Sequence, residues 1–232
     1  MSAATLPLEV HHRMEDGQRL SMLVWRPAVR WRVAATSMVG GGLGERGWWL
    51  NVHVPIGYAR MDGDRHVAEL AASVGLDGDG VGMLTAVDVG AHVRQAVDGG
   101  VVAVATVGLG LPVWAASSGP DEGSPATPVA GTVNLLVVVP VPLSDAALVN
   151  AVATATEAKV QALHELGVPG TGTASDAVCI ACPPPAASAE VEAAVEVEPF
   201  GGPRSTWGGR LARAVHEAVR AGARWPGGDA AP

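Results

Sequence analysis

The segment Val133-Asn-Leu-Leu-Val-Val-Val139 is a near-continuous run of apolar, strand-forming residues. A strand apolar on both faces has to be covered on both, so it belongs inside a sheet with layers above and below. After it, Ser144 supplies an N-cap and Asp145 an acidic first turn, which opens a helix that closes near Gly167-Val-Pro-Gly170. A second buried strand is expected at Ala177 to Ala181. Strand, helix, strand in this order predicts a right-handed crossover between parallel strands, so both strands begin at one sheet edge. That edge receives Gly131, Thr132 and Asn134 from one strand and Thr171-Gly-Thr-Ala-Ser-Asp176 ahead of the other. Doubly wound nucleotide folds bind at the opposite, carboxyl edge, where this chain offers Pro140, Val141 and Pro142, and a Rossmann fold is therefore not expected.

The first half reads as β-rich, with strands near Leu8 to His12, Leu20 to Trp25, Val33 to Met38, Trp48 to Val54, Gly82 to Val87 and Val101 to Val107. A helix is expected from about His66 to Val74 and a terminal helix over Leu211 to Ala221. Gly40-Gly-Gly-Leu-Gly44 reads as a glycine-rich turn. It lacks the Gly-Lys-Ser/Thr of a phosphate loop, which leaves open either a close backbone approach to a ligand or a flexible turn. Ser117 to Ala130, Pro183 to Pro203 and the end of the chain read as loops, and the acidic Ala189 to Glu198 piece is undecided between strand and solvated segment. The expectation is an α/β (α+β) chain: a single domain with a mixed β-sheet over residues 1–225 and a flexible tail over 226–232.

A net charge of −8 without any basic run argues against nucleic acid as a partner. The N-terminus lacks a charged stretch followed by an apolar one. The longest apolar run, Leu135 to Leu143, is too short for a bilayer and contains two prolines, so a soluble cytoplasmic protein with no membrane partner is expected. Cys179 and Cys182 lie three apart in a β-like run and point to opposite faces, which suits two reduced thiols better than a disulfide or shared metal. The seven histidines show no i, i+4 ligand pair, and no metal site is expected.

Lys159, the one lysine in the chain, falls in a helical stripe with Leu148, Val152, Leu163 and Leu166, while Asn150, Thr154, Glu157, Gln161 and His164 project the other way. Two readings stay open: a packed stem whose ammonium reaches water or a carboxylate, or a partly desolvated amine beside a reaction centre. Thr132, Asn134, Lys159, Thr171, Thr173, Ser175 and Asp176 together offer hydroxyls, an amide, a carboxylate and an amine. Amide or ester hydrolysis needs such a set, although threonines and an aspartate at strand starts also serve loop backbones.

Gly131-Thr-Val-Asn134, Pro142-Leu-Ser-Asp-Ala-Ala-Leu148, Ala153-Thr-Ala-Thr-Glu-Ala-Lys159 and Thr171-Gly-Thr-Ala-Ser-Asp176 resemble, in this order, the signature blocks of the adenosylcobinamide amidohydrolase (CbiZ) family. Gly40-Gly-Gly, Asn51 to Pro55, Leu84-Thr-Ala-Val87 and Ala105-Thr-Val-Gly108 extend the likeness, which runs from about Ala34 to Ala221. The resemblance implies hydrolysis of the amide between the corrin side chain and aminopropanol of adenosylcobinamide, giving adenosylcobyric acid in coenzyme B12 salvage. It implies a small-molecule corrinoid substrate and no cofactor, the cobalt being carried by the substrate. The loop Leu109 to Trp114 and the block Ser205-Thr-Trp-Gly-Gly209 depart from the family pattern. A fainter similarity, in the Gly-Thr step and the capped helix after it, is to the self-cleaving aminopeptidase and ornithine acetyltransferase group. It implies a four-layer αββα sandwich with Thr132 as nucleophile. On these resemblances Thr132 attacks the amide, and Asn134 with backbone amides near Gly108 holds the oxyanion. Asp176 orients or accepts the proton, and Lys159 tunes the site by charge. Asn51, Gly41, Gly42, Thr106, Gly108, Glu157, Thr171 and Thr173 are the expected substrate-binding positions. A corrinoid-binding protein without catalysis, or a peptidase or acyltransferase of the self-cleaving group, remain the alternatives.

Overall fold

A computed structural model describes residues 5–117, 131–185 and 196–225. The chain runs β1 Glu9–Glu15, β2 Gln18–Trp25, β3 Trp31–Ala35, β4 Gly42–Arg46, β5 Trp49–His53, α1 Gly63–Ser73, β6 Val81–Thr85, α2 Val89–His92, β7 Val93–Asp98, β8 Val101–Val107, β9 Val133–Val138, α3 Asp145–Glu165, β10 Ala177–Cys182 and α4 Thr206–Gly222. Strands β1 and β2 form a hairpin across Asp16-Gly17, both at positive φ (49° and 75°), the primed turn whose twist matches that of the strands it joins.

Two sheets result, one of four strands in the order β1-β2-β5-β6 and one of six in the order β4-β3-β10-β9-β8-β7. Each contains one parallel pair, β5 with β6 and β9 with β10, and each pair is joined through a helix. Residue alternation then sorts the side chains into three apolar layers. Leu23, Trp49 and Met83 of the smaller sheet meet Val104, Leu136, Val138 and Cys179 of the larger one between the sheets. Leu135, Val137, Val178 and Ile180 point outward and are covered by Ala151, Ala155 and Leu163 of α3 and by Leu211 and Val215 of α4. Met22, Leu50 and Val52 are covered by Val67, Leu70 and Ala71 of α1. The architecture is thus a single-domain α+β fold in four layers, αββα, and β9 is buried on both faces as its composition requires.

Several local expectations are corrected. Gly42–Arg46 is an edge strand rather than part of a turn, because pairing with β3 supplies the order that its glycines do not. α2 and β7 were not anticipated; all six residues of β7 are half-buried, which blurs the alternation. α4 begins at Thr206, where the Ser205 hydroxyl accepts from Gly208 N at 3.0 Å, and Gly208 is needed because a Cβ there would lie 2.0 Å from Gly202 O. Thr154 does not face solvent: it is 2% exposed and donates to Gly201 O at 2.9 Å. Both cysteines are free and buried, Cys179 between the sheets and Cys182 toward the helices. Burial pushes the Cys179 thiol up to about 12. Most of the Ser117 to Ala130 loop, most of the acidic 189–198 piece and the 226–232 tail lie outside the described residues.

Candidate active site

Strand parity decides which side chains reach the space between the sheets. Val133, Leu135 and Val137 face the helices, so Asn134, and Thr132 ahead of it, face the smaller sheet. Residue 176 shares the helix-facing parity of Val178, and Lys159 on α3 meets it there. Lys159 Nζ donates to Asp176 Oδ2 at 2.5 Å, with the two side chains 8% and 11% exposed. The ammonium meets a carboxylate, as the first reading of this lysine has it, and is also largely withdrawn from water, as the second has it.

Asp176 accepts from four donors. Oδ1 takes Val133 N (2.8 Å) and Thr173 Oγ1 (2.6 Å); Oδ2 takes Lys159 Nζ and Thr173 N (3.2 Å). A carboxylate has about four acceptor positions, so these donors fill it and leave none for a substrate proton. Together these contacts lock the start of β9 to the loop before β10. Gly172 completes the lock, since a Cβ there would sit 2.2 Å from Asp176 Oδ2 and 2.6 Å from Lys159 Nζ.

That lock sets two hydroxyls side by side. Thr132 Oγ1 lies 2.8 Å from Ser175 Oγ and donates to Gly131 O at 2.9 Å. Both residues line a cleft of about 600 Å³. Its remaining walls come from Thr36 to Met38 after β3, Val54 to Tyr58 after β5, and Met83 to Ala86 at the end of β6. At its edge the Tyr58 hydroxyl is 2.9 Å from His66 Nδ1, and burial raises the pKa of the phenol and lowers that of the imidazole, so both are held neutral near pH 7.

Behind Thr132 a polar bridge ties the two sheets. Asn134 Nδ2 donates to Asn51 Oδ1 (2.9 Å) and Leu84 O (3.2 Å), and Asn51 Nδ2 donates to Thr106 Oγ1 (2.9 Å). The carbonyl of Leu84 fixes the orientation of the Asn134 amide, because the reversed amide would set oxygen against oxygen. Its N–H groups are therefore engaged and are not free to hold an oxyanion. Its Oδ1 is buried with no partner among the described residues. The Gly108 N–H is likewise spent, on Thr132 O at 3.0 Å.

The structure thus brings Thr132, Asn134, Lys159, Thr173 and Asp176 together, with Asn51, Thr106 and Gly108 supporting them from beneath. Others stand apart. Glu157 is exposed on α3, and Thr171 accepts from Ala115 N at 3.0 Å, tying down the loop after β8. Gly41 and Gly42 lie at the start of edge strand β4, while the cleft is lined by their neighbours Ser37 and Met38. Ser175, Thr36, Ser37, Met38, Tyr58 and Thr85 were not on the expected list of site residues. Ser175 was signalled by the polar block that contains it, whereas the others approach through strand ends distant in sequence. Among the described residues no group of three or more His, Cys, Asp or Glu is placed to hold a metal ion, and no helix is long and apolar enough to cross a membrane.

A family model described as adenosylcobinamide amidohydrolase matches residues 7–229. The chain is 36% identical over 204 residues to an adenosylcobinamide amidohydrolase of Halobacterium salinarum, spanning 84% of this chain and 80% of that one. It is 28% identical over 189 residues to an adenosylcobinamide amidohydrolase of Methanosarcina mazei, spanning 82% and 88%. Among solved structures, the l-aminopeptidase d-ala-esterase/amidase of Ochrobactrum anthropi overlays with a TM-score of 0.41 at 12% identity, over 96% of this chain and 87% of that one.

Proposed function

Because the chain belongs to the adenosylcobinamide amidohydrolase family, we propose that it hydrolyses adenosylcobinamide at Thr132, cutting the amide between the corrin side arm and aminopropanol and releasing adenosylcobyric acid. The observation that supports Thr132 is its place: a hydroxyl at the cleft, paired with a second hydroxyl and held by a saturated carboxylate.

In this mechanism Thr132 Oγ1 attacks the amide carbonyl. Its proton moves to Ser175 Oγ as the Ser175 proton moves to the departing amine nitrogen; the C–N bond breaks, leaving an ester on Thr132 and free aminopropanol. Water then attacks the ester; its proton passes to Ser175 Oγ as the Ser175 proton passes to Thr132 Oγ1, the C–O bond to Thr132 breaks, and the acid leaves. Ser175 Oγ is the hydroxyl within hydrogen-bond reach of Oγ1, at 2.8 Å, and the Thr132 O–H turns to it from Gly131 O as the attack begins. Lys159 and Asp176 position Thr132 rather than act as its base, since each spends its contact on the other. The cobalt stays with the substrate and supplies no step.

Incubation with adenosylcobinamide, scored by aminopropanol released, tests this. Thr132→Ala is expected to lower kcat by about 10³ or more, and Ser175→Ala by about 10², with both variants folded. Full turnover in Thr132→Ala would end the nucleophile assignment. A spectral shift with intact ligand would indicate a carrier, and hydrolysis of aminoacyl amides without corrinoid turnover a peptidase.

A further inference from the structure

The cleft and the substrate differ in size. A corrinoid with its amide arms and upper ligand is much larger than the drug-sized molecules that enclosed pockets of about 300–1,000 Å³ take up. The cleft holds about 600 Å³. With the scissile amide at Thr132, the arm fills the cleft and the macrocycle has to lie across its mouth.

Exposed apolar side chains stand at that mouth and beside it. Met38, which lines the cleft, is 66% exposed; Ile56, between the lining residues Pro55 and Gly57, is 69% exposed; Met61 is 99% exposed. These residues come from two segments brought together by the fold. The Met38 thioether lies against Gly63 at the start of α1, where a Cβ would be 3.1 Å from Met38 Cε, and Met61 is two residues before that glycine. Large apolar side chains left exposed together beside a cleft are the kind of patch that marks a ligand-binding groove. Methionine suits a large, puckered ring edge because its unbranched, polarizable chain adapts to shape.

Resting on the corrinoid reading above, we propose that Met38, Ile56 and Met61 form an external seat for the corrin macrocycle, which supplies substrate affinity while the cleft supplies the chemistry. The seat acts before and throughout the reaction and touches no bond that breaks, so its loss is read in binding. Covering two methionines on association is worth about tenfold in affinity, after side-chain ordering takes part of the gain.

The test uses the full chain and two variants, Met61→Gln and Met38→Gln/Met61→Gln, which keep side-chain length and add polarity. Tryptophan-fluorescence titration with adenosylcobinamide gives Kd, and aminopropanol release gives KM and kcat. In the double variant Kd and KM are expected to rise about tenfold, with kcat within about twofold of the parent and the melting temperature held. Inhibition by free 1-amino-2-propanol, which has no ring, is expected to be the same in all three proteins. A double variant whose Kd stays within twofold overturns the seat, as does one that loses kcat at constant KM. If the parent binds the corrinoid without turning it over, and the variants lose that binding, the hydrolase reading fails while the seat stands. Turnover with unchanged Kd in the variants is the reverse case.

Discussion

Lys159 and Asp176 carry opposite charges at sites 8% and 11% exposed, and each is accommodated by the other. Removing one member of such a pair strands a buried charge, which costs about 3–5 kcal/mol. Lys159→Met keeps the stem's bulk and leaves Asp176 with three donors, so a loss near the lower end, about 3 kcal/mol, is expected by urea denaturation. Adding Asp176→Asn to that variant should recover part of the loss; an unmoved unfolding midpoint in Lys159→Met would mean that the ammonium contributes nothing to the lock. The helical stripe placed Lys159 on the buried face, and the crossover argument placed Asp176 at the same sheet edge. Their direct contact was not legible, because strand and helix spacing give a face and an edge without giving a reach. Asn51, Thr106 and Asn134 show the same limit more sharply. Each is visibly polar in an apolar strand, but Asn51 and Asn134 are 83 residues apart, and only the stacking of the sheets makes them partners.

At the scale of elements, legibility followed how fully each strand is buried. β8, β9 and β10 are buried at every position and read directly as apolar runs, whereas the edge strands β4 and β7 are half-solvated and present neither a buried run nor a clean alternation. The pairing of α3 with α4 is likewise invisible in their separate periodicities, and one carboxylate fastens them. Glu165, at the end of α3, accepts from Gln161 Nε2 at 2.8 Å and Arg220 Nη1 at 3.0 Å, and lies 2.8 Å from His216 Nε2. The hydrogen bonds from Gln161 and then His216 lower its pKa to about 2. A depressed carboxylate stabilises the fold above its unfolded pKa, and that contribution is lost as pH falls from about 4.5 toward 2. The side chain is 37% exposed, so solvent screening limits its worth to about 0.5 kcal/mol. Glu165→Gln should therefore be slightly less stable than the parent at pH 7, with the gap closing by pH 2; a gap that persists in thermal melts at pH 2 would assign the effect to packing.

The molecule as a whole interleaves the chain on either side of Thr132. In the larger sheet β9 and β10, which follow Thr132, lie side by side between β8 and β3, which precede it. A break after Gly131 would leave both pieces fastened in one sheet, so the fold is compatible with either an intact or a cut chain. Local chemistry separates the two. Thr132 Oγ1 gives its hydrogen to the Gly131 carbonyl oxygen, and its other partner is the Ser175 hydroxyl, a group that can relay a proton but cannot hold one at neutral pH. Attack on the Gly131 carbonyl would need a resident base at Oγ1, and Asp176 and Lys159 are committed to each other. Among the described residues the hydrogen bonds to the Gly131 carbonyl oxygen come from the Thr132 and Ser175 hydroxyls (2.9 and 3.5 Å), and no backbone N–H is placed on it to hold the oxyanion that such an attack would form. One full-length mass is therefore expected from denatured protein, identical in state for the parent and Thr132→Ala apart from the substitution itself. Two fragments split at the Gly131–Thr132 bond in the parent, and a single chain in Thr132→Ala, would show that Oγ1 does attack its own backbone. The freed α-amine of Thr132 would then replace Ser175 as the proton acceptor, and Ser175→Ala would lose most of its predicted effect on kcat.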